Sequence, residues 1–349
     1  MKSFENQTAG IKKLEVPKRK AVSISKENLV VQEFLETGGT PLLVFKPDVE
    51  GINLPAWGKE NRCLIDAQLL VHGAILFRGF NMRKASEFEE FIKSTAGETL
   101  QYHERSSPRA RVSGNVYTST DYPPHQSIFL HNENSYQYSW PMRIFFFCMV
   151  APIEGGRTPI ADTRKVFESI PASTRDKFIQ KKVLYVRNFG KGMGLPWQTV
   201  FQTDDKAEVE RYCRAAKIGF LWVADDQLKT FQAREAVARH PKTGQMVWFN
   251  HATFFNVSTL EPPVRDGLLS QFKEEDLPSN TYYGDGSAIE GEALDELRAA
   301  YKRHRVSFAW KQGDVLMLDN MLTAHGRDPF AGERKIVVGM AEPLSWDDV

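Results

Sequence analysis

Apolar and polar residues recur along this chain with two different periods. Where apolar residues recur every three or four positions, as over residues 85–96, the pattern is typical of an amphipathic helix. Short apolar runs between glycines or other turn residues, such as residues 73–79, indicate buried strands. Helices are predicted at residues 67–72, 85–96, 164–180, 206–216, 263–273 and 290–304. Strands are predicted at residues 41–45, 73–79, 115–118, 127–131, 143–150, 305–310, 314–319 and 334–341.

The order of these elements predicts a mostly β fold with helices, that is, an α+β fold. Strands separated by Pro, Gly and Asn turns occupy the middle of the chain and return after residue 304. Residues 161–295 between them mix helices and loops and are interpreted as a large insertion. Residues 1–28 are polar and aperiodic, so we expect a flexible N-terminal arm. Because no repeat or linker interrupts residues 29–349, they are expected to form a single domain.

Composition and charge narrow the class of protein. The chain has 349 residues with 42% hydrophobic and 26% charged side chains, which excludes a disordered or fibrous protein. The net charge is +1 and the sequence contains no long block of basic residues, so nucleic acid is not an expected partner. No apolar run approaches the roughly 20 residues of a membrane span, and no signal peptide is recognised. Three cysteines without a CxxC pair favour a reducing, cytoplasmic setting.

The candidate chemistry begins with His131 and Glu133 at the end of a predicted strand. Among eight histidines only His131 has an acidic residue two positions later, although such a pair also arises by chance. His325 follows the predicted strand 314–319 and supplies a third potential ligand. Two imidazoles and one carboxylate leave positions open on a metal, which suits ferrous iron that binds a bidentate co-substrate and dioxygen. A structural zinc ion would instead be closed by four ligands.

A second candidate site lies shortly after His325 in the sequence. Arg334 opens a predicted strand nine residues after His325. A guanidinium at this place can hold the far carboxylate of a dicarboxylate with two parallel hydrogen bonds. Arg327 competes for this role, but strand direction favours Arg334, and Arg327 is better placed to meet the substrate.

Four motifs make the sequence resemble the Fe(II)/2-oxoglutarate-dependent dioxygenases of the taurine dioxygenase (TauD/TfdA) and clavaminate synthase-like superfamily. They are residues 122–136 (YPPHQSIFLHNENSY), 155–162 (GGRTPIAD), 247–252 (VWFNHA), and 319–327 (DNMLTAHGR) with 333–336 (ERKI). The resemblance spans about residues 70–343. It implies that His131, Glu133 and His325 bind Fe(II), and that Thr158 and Arg334 hold the far carboxylate of 2-oxoglutarate.

The same resemblance implies a fold and a reaction. The expected fold is a double-stranded β-helix, or jelly roll, with helices outside and the insertion as a lid. Decarboxylation of 2-oxoglutarate with O2, giving succinate and CO2, is expected to drive hydroxylation of an unactivated C–H bond, with desaturation or cyclisation as alternative outcomes. The motif wording is most similar to syringomycin-type hydroxylases of natural-product biosynthesis, which act on amino acids, often tethered to a carrier protein. Glu133 replaces the Asp of many members and fills the position that chloride takes in halogenating relatives, so halogenation is disfavoured.

Further residues around the predicted site are candidates for contact with the substrate. Asn115 and Arg327 are candidate substrate-binding residues, and Glu104 and Arg105 lie in a loop that borders the site in relatives. His251 is interpreted as a packed histidine beside the site and not as a fourth ligand. A zinc-dependent hydrolase with the same three ligands, or a β-sandwich binding protein without a metal, would be the alternatives from other functional classes. The oligomeric state and the identity of the small-molecule substrate are not predicted.

Overall fold

A computed structural model describes residues 29–101, 104, 109–119, 122–190 and 194–349, and it confirms the mixed α+β fold. The helices of these residues are α1 Leu54–Glu60, α2 Arg62–His72, α3 Ala85–Ala96, α4 Thr163–Ser169, α5 Ala172–Lys181, α6 Trp197–Phe201, α7 Lys206–Ala215, α8 Pro262–Gln271 and α9 Gly291–His304. The strands are β1 Val30–Leu35, β2 Leu42–Pro47, β3 Ala74–Phe77, β4 Arg111–Ser113, β5 Val116–Thr118, β6 Ile128–His131, β7 Ser139–Val150, β8 Glu154–Gly155, β9 Ile160–Asp162, β10 Val183–Phe189, β11 Gly219–Ala224, β12 Gln227–Arg234, β13 Val237–Arg239, β14 Met246–Trp248, β15 Ser279–Tyr283, β16 Arg305–Val306, β17 Val315–Asp319, β18 Thr323–Arg327, β19 Phe330–Ala331 and β20 Lys335–Ser345.

An eight-stranded sheet forms the centre of the fold, in the strand order β1-β2-β3-β17-β7-β20-β5-β4. Successive side chains of β7 point to opposite faces of this sheet. Phe145 and Phe147 pack with Phe88 and Phe91 of α3, whereas Phe146 belongs to the apolar cluster on the other face. Because both faces are covered, β7 is an almost continuous apolar run, and this is the pattern that predicts it.

A four-stranded sheet, β16-β9-β18-β6, packs on the second face of the large sheet. Ile160 of β9 and Val306 of β16 share one buried apolar cluster with Leu316 and Val338 of the large sheet. Strand β18 lies in the middle of the small sheet and pairs with β6 on one side and with β9 on the other. The strands that carry the predicted metal ligands therefore face the large sheet across a shared interior.

The predicted insertion, residues 161–295, contains a sheet of its own in the order β11-β12-β10-β15. The hydrophobic pattern does not reveal these strands. In β12 every second residue is buried, but the buried residues are Leu228, Thr230, Gln232 and Arg234. Burial therefore alternates along β12, but hydrophobicity does not. Because hydrophobicity is the only signal that the sequence pattern supplies, the strand is not visible in the sequence.

The predicted helix 164–180 is two helices, α4 and α5. Helix α4 ends at Ser169, and Ile170 has extended backbone angles (φ −70°, ψ 130°). Pro171 follows, and a proline disfavours helical angles in the residue before it and lacks the N–H that would continue the helix. The prediction of one continuous helix is therefore wrong at this proline.

The N-terminal segment, the lengths of the helices and the cysteines can also be compared with the sequence-based expectations. The predicted N-terminal arm, residues 1–28, lies outside the described residues. Within the part that the structure describes, no helix is both long enough and apolar enough to cross a membrane. All three cysteines are free, with Cys63 exposed and Cys148 and Cys213 buried.

Candidate active site

Glu133 is held in place by a residue from a distant part of the sequence. Asn320 lies in the connection between β17 and β18 and is fully buried. Its Oδ1 accepts a hydrogen bond from the Glu133 backbone N–H (2.8 Å), and its Nδ2 donates to the Glu133 carbonyl oxygen (2.9 Å). Asn320 therefore fixes the backbone of Glu133 on both sides, as a neighbouring strand would.

His325 lies in the middle of β18, where it is the antiparallel partner of His131 in β6. The centroids of the two imidazole rings are 4.6 Å apart. The sequence predicts that His325 follows a strand, and the structure places it inside a further short strand whose five residues are all buried. Because Thr323–Arg327 contains Thr, His, Gly and Arg, its burial leaves no hydrophobic pattern in the sequence.

Residues His131, Glu133 and His325 form a cluster that fits a divalent metal. One donor atom from each lies within 4.8 Å of the others, and Glu133 Oε2 is 3.7 Å from His325 Nε2. The carbonyl oxygen of Phe129 only accepts hydrogen bonds, so His131 Nδ1, 2.8 Å away, carries the hydrogen and Nε2 keeps its lone pair. His325 Nδ1 is buried without a hydrogen-bond partner among the described residues.

Burial keeps both cluster histidines neutral. It lowers the pKa of His131, and the neighbouring Glu133 carboxylate only opposes this effect. It also lowers the pKa of His325 well below its ordinary value, and the nearby His131 and Arg109 act in the same direction. Since a metal binds the neutral imidazole, the two histidines are in the form that ligation requires. Two imidazoles and one carboxylate are the donor set of non-haem ferrous sites.

A cavity of about 400 Å³, including its part open to solvent, is lined by the cluster histidines and Arg334, and we call it the smaller cavity. Arg334 Nε donates to the Gly156 carbonyl oxygen (3.0 Å), and Trp310 Nε1 donates to Thr158 Oγ1 (3.0 Å). Burial, and secondarily the charge of Arg327, lowers the pKa of Arg334 to about 10, so its guanidinium remains charged at neutral pH. The structure thus brings the two predicted 2-oxoglutarate residues, Thr158 and Arg334, into one cavity with the cluster histidines.

The two candidate substrate residues have different positions. Arg327 lines the smaller cavity, but its guanidinium donates to three backbone carbonyl oxygens of the loop 122–126 at 2.6–2.9 Å. Asn115 lies in the turn between β4 and β5, where its Nδ2 donates to the Thr99 carbonyl oxygen (2.9 Å). It is not among the described residues that line the smaller cavity or its larger neighbour, and its substrate role stays a prediction.

The loop that contains Glu104 and Arg105 is described only in part. Glu104 is buried, accepts a hydrogen bond from the Tyr212 hydroxyl (2.8 Å) and lies 3.5 Å from Arg187. It is not among the described residues that line either cavity, whereas Arg105 lies outside the described residues. Glu104 therefore stabilises the interior of the insertion side and does not border the metal cluster.

A second cavity, of about 1010 Å³ including its part open to solvent, lies against the metal cluster, and we call it the larger cavity. His131 and Glu133 form its inner wall, and the insertion contributes Phe254, which stacks on the His131 ring with centroids 4.3 Å apart. His251 also lines it, and His251 Nδ1 lies 2.6 Å from Ser135 Oγ. Burial lowers the pKa of His251 well below its ordinary value. His251 is thus a packed neutral histidine outside the three-residue cluster, as the sequence indicates.

Several residues that line the larger cavity have no role in the sequence-based predictions, among them Arg109, Phe254 and Glu261. Phe254 follows the motif at residues 247–252 in an aromatic stretch, which offers a signal that could have identified it. Arg109 and Glu261 lie in polar stretches without periodicity, where nothing in the sequence distinguishes them from surface residues. Arg109 Nη2 is 3.0 Å from each oxygen of the Glu133 carboxylate, so the missed arginine contacts a predicted metal ligand directly.

Fold and site together define a class of enzyme. Residues 38–340 match the family model described as Taurine catabolism dioxygenase TauD, TfdA family, which covers most of the chain. The chain belongs to this family, as the sequence predicts. It is an Fe(II)/2-oxoglutarate-dependent dioxygenase, with O2 as co-substrate, so the zinc hydrolase and the non-catalytic binding protein are set aside.

Individual relatives refine this class. The dapdiamide synthesis protein DdaC of Enterobacter agglomerans is 41% identical over 280 residues, which cover 80% of this chain and 85% of that protein. A clavaminate synthase-like protein of Arabidopsis thaliana is 26% identical over 331 residues, which cover 89% of this chain and 96% of that protein. The crystal structure of PvcB from Pseudomonas aeruginosa has a TM-score of 0.55 at 17% identity, covering 92% of this chain and 94% of that chain. PvcB is described as an Fe, alpha-ketoglutarate dependent oxygenase from an isonitrile synthetic pathway, and at this identity the likeness shows the fold alone.

Proposed function

We propose that this enzyme hydroxylates an unactivated C–H bond of an amino acid or amino-acid-derived substrate in natural-product biosynthesis. The observation that carries the proposal is the meeting of two cavities at one cluster of metal donors, His131, Glu133 and His325. The name of the 41% identical relative supports the setting, because DdaC is a dapdiamide synthesis protein. The substrate is an amino-acid-type molecule, either free or tethered to a carrier protein.

The smaller cavity suits 2-oxoglutarate. We assign the far carboxylate to Arg334, whose half-buried guanidinium makes a charge-assisted hydrogen bond stronger than an exposed one. Thr158 lies in the same wall with its hydroxyl oriented by Trp310. Because the hydroxyl oxygen already accepts from Trp310, its hydrogen is the part that Thr158 offers to a carboxylate.

The metal cluster lies between the co-substrate and the substrate. We assign His131, Glu133 and His325 as the ligands of Fe(II). When bound, iron supplies the redox chemistry that couples decarboxylation of 2-oxoglutarate and reduction of O2 to oxidation of a C–H bond. The protein contributes rigid ligand positions through Asn320 and an apolar wall through Phe254, which limits the access of water to the reacting carbon.

Three finer predictions about the architecture belong to the same proposal. We propose that the facing eight-stranded and four-stranded sheets form a double-stranded β-helix, and that residues 29–349 make one domain. The insertion at residues 161–295 supplies Phe254 and Glu261 to the larger cavity, which supports its role as a lid. The three free cysteines agree with a reducing, cytoplasmic setting.

Anaerobic titration of Fe(II) and 2-oxoglutarate into the metal-free protein tests the proposal. A weak visible charge-transfer band at one equivalent, absent from His131→Ala, is the expected result. Amino acids, free and carrier-tethered, are then screened for substrate-dependent succinate formation, with mass spectrometry to separate addition of oxygen from loss of hydrogen. If iron binds and no band forms with 2-oxoglutarate, the assignment of the smaller cavity is wrong.

A further inference from the structure

Arg109 forms an ion pair with Glu133, one of the predicted metal ligands. Its Nη2 is 3.0 Å from Oε1 and 3.0 Å from Oε2 of Glu133. Both side chains are almost entirely buried, with 5% and 3% of their surfaces exposed. Opposite charges interact more strongly in such surroundings than in water, because the effective dielectric constant is lower. The Arg109 charge is therefore an electrostatic component of the metal site.

Arg109 also belongs to the wall of the smaller cavity. Of the described residues that line this cavity, three are arginines, Arg109, Arg327 and Arg334, and none is acidic. Arg334 contacts the Gly156 carbonyl oxygen, whereas Arg109 contacts Glu133 within the cluster. A dicarboxylate bound in this cavity is therefore close to more than one positive charge.

We propose that Arg109 sets the charge balance of the site, so that it weakens the binding of the divalent metal and strengthens the binding of 2-oxoglutarate. This inference rests on the proposed function. A guanidinium against Glu133 repels the dication that Glu133 attracts, and the same charge attracts a dianion that enters beside it. Compared with a site that lacks this charge, Arg109 therefore disfavours the enzyme with metal alone and favours the enzyme that holds both metal and 2-oxoglutarate.

The opposite signs of these two effects make the inference testable without turnover. Mn(II) is the metal probe, and its binding is measured from the electron paramagnetic resonance signal of the free ion. Binding of 2-oxoglutarate to the Mn(II)-saturated enzyme is followed by calorimetry. Arg109→Gln removes the charge and retains N–H donors, whereas Arg109→Lys retains the charge and loses the planar fork.

We expect Arg109→Gln to bind Mn(II) about tenfold more tightly and 2-oxoglutarate about tenfold more weakly than the wild type, as loss of one buried charge implies. Arg109→Lys should stay close to the wild type in both affinities. Arg305→Gln is the matched control, because Arg305 pairs with Asp328 at 2.7 Å on the surface and lines neither cavity. It should change neither affinity.

Two results would overturn the inference. If Arg109→Gln weakens Mn(II) binding, Arg109 only positions Glu133, and if both affinities are unchanged, its charge has no role. Should Arg109→Gln fail to fold by circular dichroism, Arg109→Met supplies a second neutral variant with the same two expected shifts. Loss of 2-oxoglutarate binding in the wild type would instead count against the proposed function, so the two failures are distinguishable.

Discussion

His131 and His325 are direct partners across two antiparallel strands, with ring centroids 4.6 Å apart. Residues in such a pair have their side chains on the same face of the sheet. The pairing of β6 with β18 therefore aims both imidazoles into the interior between the two sheets, and Glu133, just beyond the end of β6, completes the cluster.

The first prediction concerns the two histidines. His131→Ala and His325→Ala should each reduce metal-dependent succinate formation more than about 100-fold. Mutation of a residue that only hydrogen-bonds to a metal ligand already reduces metal affinity or activity about 10–100-fold. Calorimetric titration with Mn(II) should show weakened metal binding in the same variants. His304→Ala is the control, because His304 contacts Ser169 away from the cluster. Full activity in either ligand variant would refute the assignment.

The second prediction separates two neighbouring arginines. Arg334→Met should raise the KM for 2-oxoglutarate about 100-fold, because a hydrogen bond to a charged group contributes about 1.5–3 kcal/mol. Metal binding should stay unchanged. Arg327→Met should mainly affect the KM for the substrate, since Arg327 holds the backbone of the loop 122–126, which borders the larger cavity. Steady-state kinetics decide, and an unchanged 2-oxoglutarate KM in Arg334→Met would move the anchor role to Arg327.

The third prediction concerns Asn320. Asn320→Asp replaces an amide donor by a carboxylate oxygen that faces the carbonyl oxygens of Glu133 and Pro141. The free energy of unfolding should fall by about 2–4 kcal/mol, because two buried acceptors lose their donor and meet a further acceptor. Urea denaturation with and without Mn(II) measures this loss and the accompanying loss of metal affinity.

A matched control for this change is Asn115→Ala. Asn115 donates one hydrogen bond, to the Thr99 carbonyl oxygen, accepts another from Arg111 in an exposed contact, and is only partly buried. Its replacement should lower the free energy of unfolding by about 1 kcal/mol, mostly through loss of the bond to Thr99, and leave Mn(II) binding unchanged. Equal effects of the two variants on metal binding would show that Asn320 does not position Glu133.

The fourth prediction is a pH dependence of the metal-free protein. Burial lowers the pKa of His131, His251 and His325 in the folded state, so between their folded pKa values and about 6.5 the unfolded chain binds more protons. The free energy of unfolding should therefore fall as pH decreases below about 6.5, by up to about 1.4 kcal/mol per pH unit for each histidine. Urea denaturation from pH 7 to pH 5 measures the slope. His251→Asn should reduce it, and an unchanged slope would contradict the neutral assignment of His251.

Much of the site could be predicted from the sequence because its key residues fall in motifs. His131 and Glu133 lie two positions apart at the end of an apolar strand, and Arg334 opens another such strand. The arginine at position 109 shows the opposite case. It contacts Glu133 across 24 positions of sequence, and its surrounding residues have neither a period nor a motif. Only the path of the folded chain brings that guanidinium to the carboxylate.

By itself the sequence determined the elements whose burial matches their hydrophobicity and the residue types of the metal cluster. Helix α3 and strand β7 are visible because apolar side chains fill their buried faces. Only the tertiary structure determined the short strand β18, the sheet within the insertion, the hydrogen bonds of Asn320 to the Glu133 backbone, and the contact of Arg109 with Glu133. Their buried residues are polar, and polar side chains are buried at low cost only when partners from distant positions satisfy their hydrogen bonds and charges. Those partners are a property of the folded chain, and no local pattern encodes them.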